Sequence, residues 1–114
     1  MTFKKQIIGK WRITSMSEWD KDYVDEEVAA YIQIEKNLCG DFHFGYVQAE
    51  IHGRIAKRGG EEFFEFTFDG YDAGGGNDES GSGWIKLTGK DKAEGEFNFH
   101  QTDSSTFKLR RMRK

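Results

Sequence analysis

Gly9-Lys10-Trp11-Arg12-Ile13 opens the first run of alternating apolar and polar side chains, and Phe107-Lys108-Leu109-Arg110-Arg111 closes the last. A period of two is the mark of a strand with one apolar and one wet face. In the first run Trp11, Ile13 and Ser15 share a face, and Arg12, Thr14 and Met16 take the other. Closing the last strand onto the first, antiparallel and with Ile13 opposite Leu109, sets Trp11 opposite Arg111 and Ser15 opposite Phe107. It also places Arg12 opposite Arg110, a like-charge contact. A chain whose two ends pair in this way closes a sheet into a barrel.

Between the ends the alternation hardly stops. Ala30, Ile32 and Ile34 form one apolar face; Phe42 and Phe44 follow the turn Asn37-Leu38-Cys39-Gly40. Val47, Ala49, Ile51, Gly53 and Ile55 come next, with Gly45-Tyr46 either a tight turn or a bulge in one long strand over residues 42–57. Phe64, Phe66 and Phe68 follow Gly59-Gly60; then Ile85 and Leu87, Gly95, Phe97 and Phe99, and Phe107, Leu109 and Arg111. The pattern predicts an all-β fold, an eight-stranded antiparallel up-and-down β-barrel, as one domain over residues 1–114. Phe3, Ile7 and Ile8 have helical spacing and predict a short N-terminal helical turn plugging one end. Residues 18–27, with six acids and no period of two, read as a loop with room for a helical turn, and Gly70 to Gly83 as a Gly-rich flexible connection.

Register can be tested on charge. A two-residue hairpin at Gly59-Gly60 sets Ile55 opposite Phe64, Gly53 opposite Phe66, and Arg54 opposite Glu65 on the other face. Pairing Phe97 with both Leu109 and Ile85 puts Glu96 between Arg110 and Lys86. Ala49 falls opposite Phe42. Eight of the ten phenylalanines, all but Phe3 and Phe63, face inward, and small inner residues oppose large ones.

Composition excludes several classes. The 114 residues carry a net charge of -3, against a general nucleic-acid binder. No apolar run is long enough for a spanning helix, so no membrane attachment is expected, and the stretch before Gly9 is too short for a signal-peptide apolar region. Cys39 alone allows no internal disulfide, and a cytoplasmic location is expected. His43, His52 and His100 fall on outer faces of different strands, as solvated residues without metal-site spacing. Asp69, Asp72, Asn77, Asp78 and Glu79 offer oxygen ligands but match no calcium motif. Ser104-Ser105 reads as turn chemistry, and no catalytic triad or phosphate loop is present, so the expectation is not an enzyme. The terminal cations Lys108, Arg110, Arg111, Arg113 and Lys114 are expected to be neutralised by the acidic loop 18–27.

Gly9-x-Trp11 with Arg111 near the chain end resembles the calycin signature of lipocalins, fatty-acid-binding proteins and avidins. The resemblance implies that Gly9, Trp11 and Arg111 form a structural closure, the Trp sealing one barrel end beneath the basic side chain. Secreted lipocalins are longer and disulfide-bonded, so extracellular transport is not implied. Ser80-Gly81-x-Gly83-Trp84 and His100-x-x-Asp103-x-Ser105-x-Phe107 resemble a family of small bacterial proteins without established activity, which speaks to fold only.

Two functions follow. The first is binding of a small apolar ligand at a mouth opposite Trp11, lined by Ile34, Phe42 and Phe68, beneath Trp19, Tyr23 and Tyr71 and roofed by residues 18–29 and 70–83. The second is a filled barrel working through its outside, as an interaction module or a homodimer through Tyr31, Phe63 and Trp84. No cofactor is specified.

Overall fold

The structure is a computed structural model that describes residues 2–99 and 104–112. Its elements are α1 (Phe3–Ile7), β1 (Gly9–Met16), α2 (Lys21–Val24), β2 (Tyr31–Ile34), β3 (Cys39–Phe44), β4 (Val47–Arg58), β5 (Glu61–Asp72), β6 (Asn77–Gly89), β7 (Lys92–Phe99) and β8 (Ser104–Arg111). The eight strands form a closed antiparallel barrel in sequence order, each pairing with its chain neighbours and β8 with β1. Closure leaves no free sheet edge. Among the described residues no helix is long and apolar enough to cross a membrane.

The barrel shuts where β1 begins. Trp11 is fully buried, its indole N–H donates to the Ile7 carbonyl at 2.9 Å, and the Arg111 guanidinium lies 4.1 Å above its ring. Arg111 also donates to the carbonyls of Ile8 and Gln6, tying β8 to the chain that leaves α1. Phe3 and Ile7 bury the inner side of α1, whose first turn is capped by Thr2. Trp11 opposite Arg111, Ile13 opposite Leu109 and Arg12 opposite Arg110 all match the expected register.

The β4–β5 hairpin also pairs as expected, with Ile55 on Phe64, Gly53 on Phe66 and Arg54 on Glu65. Gly45, at φ +55°, makes the tight turn that separates β3 from β4, with Ala49 on Phe42 beyond it. The turn after β2 ends sooner than expected: Leu38 takes φ +65°, the Asn37 side chain accepts from the Cys39 N–H, and Cys39 and Gly40 already belong to β3.

Four other expectations are corrected. The Gly-rich stretch is no long loop, because β5 and β6 pair from Asp72↔Asn77 onward and leave only residues 73–76 as the turn. Its glycines serve close strand approach: a methyl at Gly70 would meet the Gln48 carbonyl, and one at Gly81 the Asn98 carbonyl. The last hairpins are shifted, with Phe97 on Ser105 and Ile85 on Gly95, so Glu96 faces Trp84 and Thr106 and not Lys86 and Arg110. The expected register stacks Phe99 on Phe107, large on large; the observed one sets Gly95 beside Phe107 and Ser105 beside Phe97. A bulge between Ile13 and Ser15 places Lys108 opposite Ser15 and turns Met16 inward opposite Phe107. Ser104-Ser105 begins β8, where buried Ser105 accepts from the Glu18 N–H at 3.2 Å.

Candidate functional site

The interior is occupied by aromatic rings. Phe97 lies at its centre, with ring centroids of Phe107, Phe42, Phe44, Phe68, Phe66 and Phe99 at 4.4, 4.6, 5.5, 5.9, 6.0 and 6.0 Å. Such pairs add roughly 0.5–1.5 kcal/mol each beyond their area burial. Phe42 and Phe68 are both buried members of this stack, 5.2 Å apart.

The mouth is capped by the segment between β1 and β2. Trp19 rests on Phe44 and Phe99 at 5.1 and 5.8 Å and stacks on Tyr23 at 6.1 Å. The cap is latched on its flank. Arg12 grips Asp25 bidentately at 2.8 and 2.7 Å, Glu27 meets His43 at 3.0 Å, and Tyr46 donates to Glu26 at 3.1 Å. Hydrogen bonds from Arg12 hold the Asp25 carboxyl below its usual range. Burial raises Tyr23, and Asp72 and Glu79 add to the effect; burial also raises Glu79, next to Asp72.

Trp19 and Tyr23 thus meet at the mouth as expected, but three other mouth residues do not join them in one pocket. Ile34 pairs with Gly9 at the sealed end, because β2 runs away from the cap. Phe68 belongs to the ring stack and reaches the cap only through Phe99, 5.2 Å away, and Tyr71 is exposed at 49 %, on the outer face beside Gln48 and Asp78. The acidic loop pairs Asp25 with Arg12 and sets Glu27 against the His43 ring at the mouth, whereas Arg111, at the sealed end, approaches Asp91. The expected pairing with the terminal cations is thereby corrected; Arg113 and Lys114 lie outside the described residues.

His43 faces outward on β3 yet is buried, with Glu27 of the cap and the Tyr31 ring against it. His52 is exposed and lies 3.4 Å from the Cys39 sulfur, while His100 and Asp103 lie outside the described residues. Among the described residues no group of three or more His, Cys, Asp or Glu side chains is placed to hold a metal ion.

The outer wall is concave. A concavity of ≈ 860 Å³ is lined on β4–β7 by Arg54, Arg58, Phe63, Trp84 and Lys86, among others. A second depression continues it toward the mouth, sharing His52, Thr67, Ser82 and Asn98 and adding Glu50 and Asp69. Phe63 and Trp84 stand perpendicular at 5.8 Å and 89°, forming a corner. Glu65, its side chain only 16 % exposed, accepts from Arg54 at 3.2 Å on one oxygen and pairs with Arg58 on the other. Parity flagged Phe63 and Trp84, but the cations beside them were legible only as a charge pair, since their convergence needs the β4–β6 registers together. Tyr31 is on β2, three strands from β5, with its hydroxyl donating to Asp41 at 2.6 Å and Lys10 4.4 Å above its ring. It does not share a surface with Phe63 and Trp84.

The closed eight-stranded barrel with Arg111 over Trp11 is compatible with a calycin-like fold. No family model, curated protein or solved structure matches the chain.

Proposed function

We propose that this barrel is a non-enzymatic binding module whose working face is the outer wall of β4–β7. One observation carries the reading: the apolar interior is spent on ring-to-ring contacts under a capping Trp19, while Phe63 and Trp84 line an open concavity. Large aromatics left in a solvent-facing hollow are the usual anchor of a binding surface.

A second function, an apolar ligand entering the mouth, has one observation in its favour. The Trp19 ring is held by ring contacts to Phe44 and Phe99, while the backbone on either side of it is tied down by Glu18 to Ser105 and by Asp25 to Arg12, so the indole can turn aside while the cap stays attached. Native mass spectrometry of protein purified from its own organism separates the two. Outer-wall binding predicts that a retained small mass, or a second copy, is lost in Trp84→Glu and kept in Trp19→Ala. The reverse dependence assigns function to the mouth. A wild type that carries nothing and stays monomeric at high micromolar concentration counts against the outer wall.

A further inference from the structure

Resting on the outer-wall reading, we infer that the concavity takes a planar aromatic ligand bearing an anionic group, such as a carboxylate, sulfonate or phosphate. The rings and the cations each contribute a separate argument.

Phe63 and Trp84 meet at 89°. A flat ring lying in that corner stacks on one side chain and presents its edge to the other, the two favoured aromatic geometries, both satisfied at once. An aliphatic chain gains nothing from the right angle. The volume of ≈ 860 Å³ lies within the roughly 300–1,000 Å³ of small-molecule sites.

The charge comes from Arg54, Arg58 and Lys86, set against Glu65 in the same lining. Glu65 takes one contact from each guanidinium and holds two like charges side by side; Arg54 and Arg58 remain 78 % and 70 % exposed. Most N–H donors of both forks therefore stay available, in the geometry that grips a carboxylate or phosphate. Lys86 shares its charge with Glu94, its cross-strand neighbour at 3.9 Å, so the free donors are those of the two Arg side chains. The groove is graded, since its continuation toward the mouth brings in Glu50 and Asp69. An anionic group is drawn to the Arg end and repelled from the other, which orients the ligand.

The test is calorimetric titration with naphthalene-2-sulfonate and with its neutral counterpart naphthalene-2-sulfonamide, into wild type, Arg54→Gln/Arg58→Gln, Trp84→Ala and Trp19→Ala. Gln removes the charge and keeps a polar side chain on the exposed face, and circular dichroism confirms that each variant folds. The expected result is that the sulfonate binds at least tenfold more tightly than the sulfonamide. The double Gln variant loses that tenfold preference, Trp84→Ala loses both probes, Trp19→Ala changes neither, and added salt weakens only the sulfonate. Equal affinity for both probes, still lost in Trp84→Ala, overturns the anion and leaves the outer wall standing. Binding lost in Trp19→Ala and kept in Trp84→Ala overturns the outer wall itself. No heat with either probe overturns the aromatic-anion ligand, and the native mass comparison then decides the outer wall separately.

Discussion

Replacing Trp11 with alanine tests how the chain ends close. The ring is fully buried, its N–H is bonded to the Ile7 carbonyl, and Arg111 covers it at 4.1 Å. Truncating a buried aromatic to Ala costs about 3–5 kcal/mol, part transfer and part residual cavity. Two further losses place this site in the upper half of that range: the Ile7 carbonyl is left unpaired, about 1–3 kcal/mol, and the cation over the ring goes, about 0.5–2 kcal/mol. These overlap with the truncation and do not add in full. At roughly 2.1 cal/mol/K of unfolding entropy per residue, a chain of this length falls by about 4 °C per kcal/mol, or roughly 15–20 °C in Tm. Urea melts followed by circular dichroism give the free energy, with an unchanged slope showing that the unfolded state is not altered. A loss below about 1 kcal/mol, typical of a surface change, would refute the closure of β1 and β8 over α1.

Gly81→Ala should cost about 3 kcal/mol or more, because the methyl meets the Asn98 carbonyl, whereas Gly89→Ala, with open space around it, should stay within about 0.5 kcal/mol. Comparable melts for both would contradict the strand approach at β6–β7. Burial and the hydrogen bond to Asp41 push the Tyr31 hydroxyl up to about 12, so its contribution to stability is complete below its unfolded value and disappears as pH rises through 12. Absorbance at 295 nm should show a late phenolate phase that Tyr31→Phe removes; an unchanged curve in Tyr31→Phe would be the contrary result. Asp25 shifts the other way: its contribution is present above an ordinary carboxylate pKa of about 3.9 and is lost as pH falls through its lowered folded value. Asp25→Asn should flatten the fall in urea midpoint on acidification, and an undiminished fall would leave the Arg12 latch without a role in stability.

Strand count, closure and the β4–β5 hairpin register were legible because each rests on period-two patterning with one charge or size check, as at Arg54 and Glu65. The later registers were not. Opposite charges at Glu96 and Arg110 pointed one way, while the volumes of Phe97, Phe99 and Phe107 decided otherwise, and buried packing outweighs exposed ion pairs. Gly70 to Gly83 misled because glycine marks both flexible loops and close strand crossings, which sequence spacing cannot separate. His43 is outward by parity and buried all the same, since parity says nothing about a segment folding back over the wall. Of the proposed mouth residues, Trp19 and Tyr23 come together in the cap, whereas Ile34 lies beside Gly9 at the other end, because its position along the barrel axis depends on the direction of β2.

The central claim, that recognition occurs on the outer wall and not in the interior, is most directly tested by the indole N–H resonances of Trp11, Trp19 and Trp84. In two-dimensional ¹⁵N–¹H spectra, assigned with Trp19→Phe and Trp84→Phe, the protein is titrated separately with naphthalene-2-sulfonate and with decanoate, an apolar-chain probe for the interior. The predicted result is that the Trp84 resonance shifts with the sulfonate while Trp11 and Trp19 hold still under both. A Trp19 resonance that moves with decanoate, beside a Trp84 resonance that ignores both probes, would contradict it.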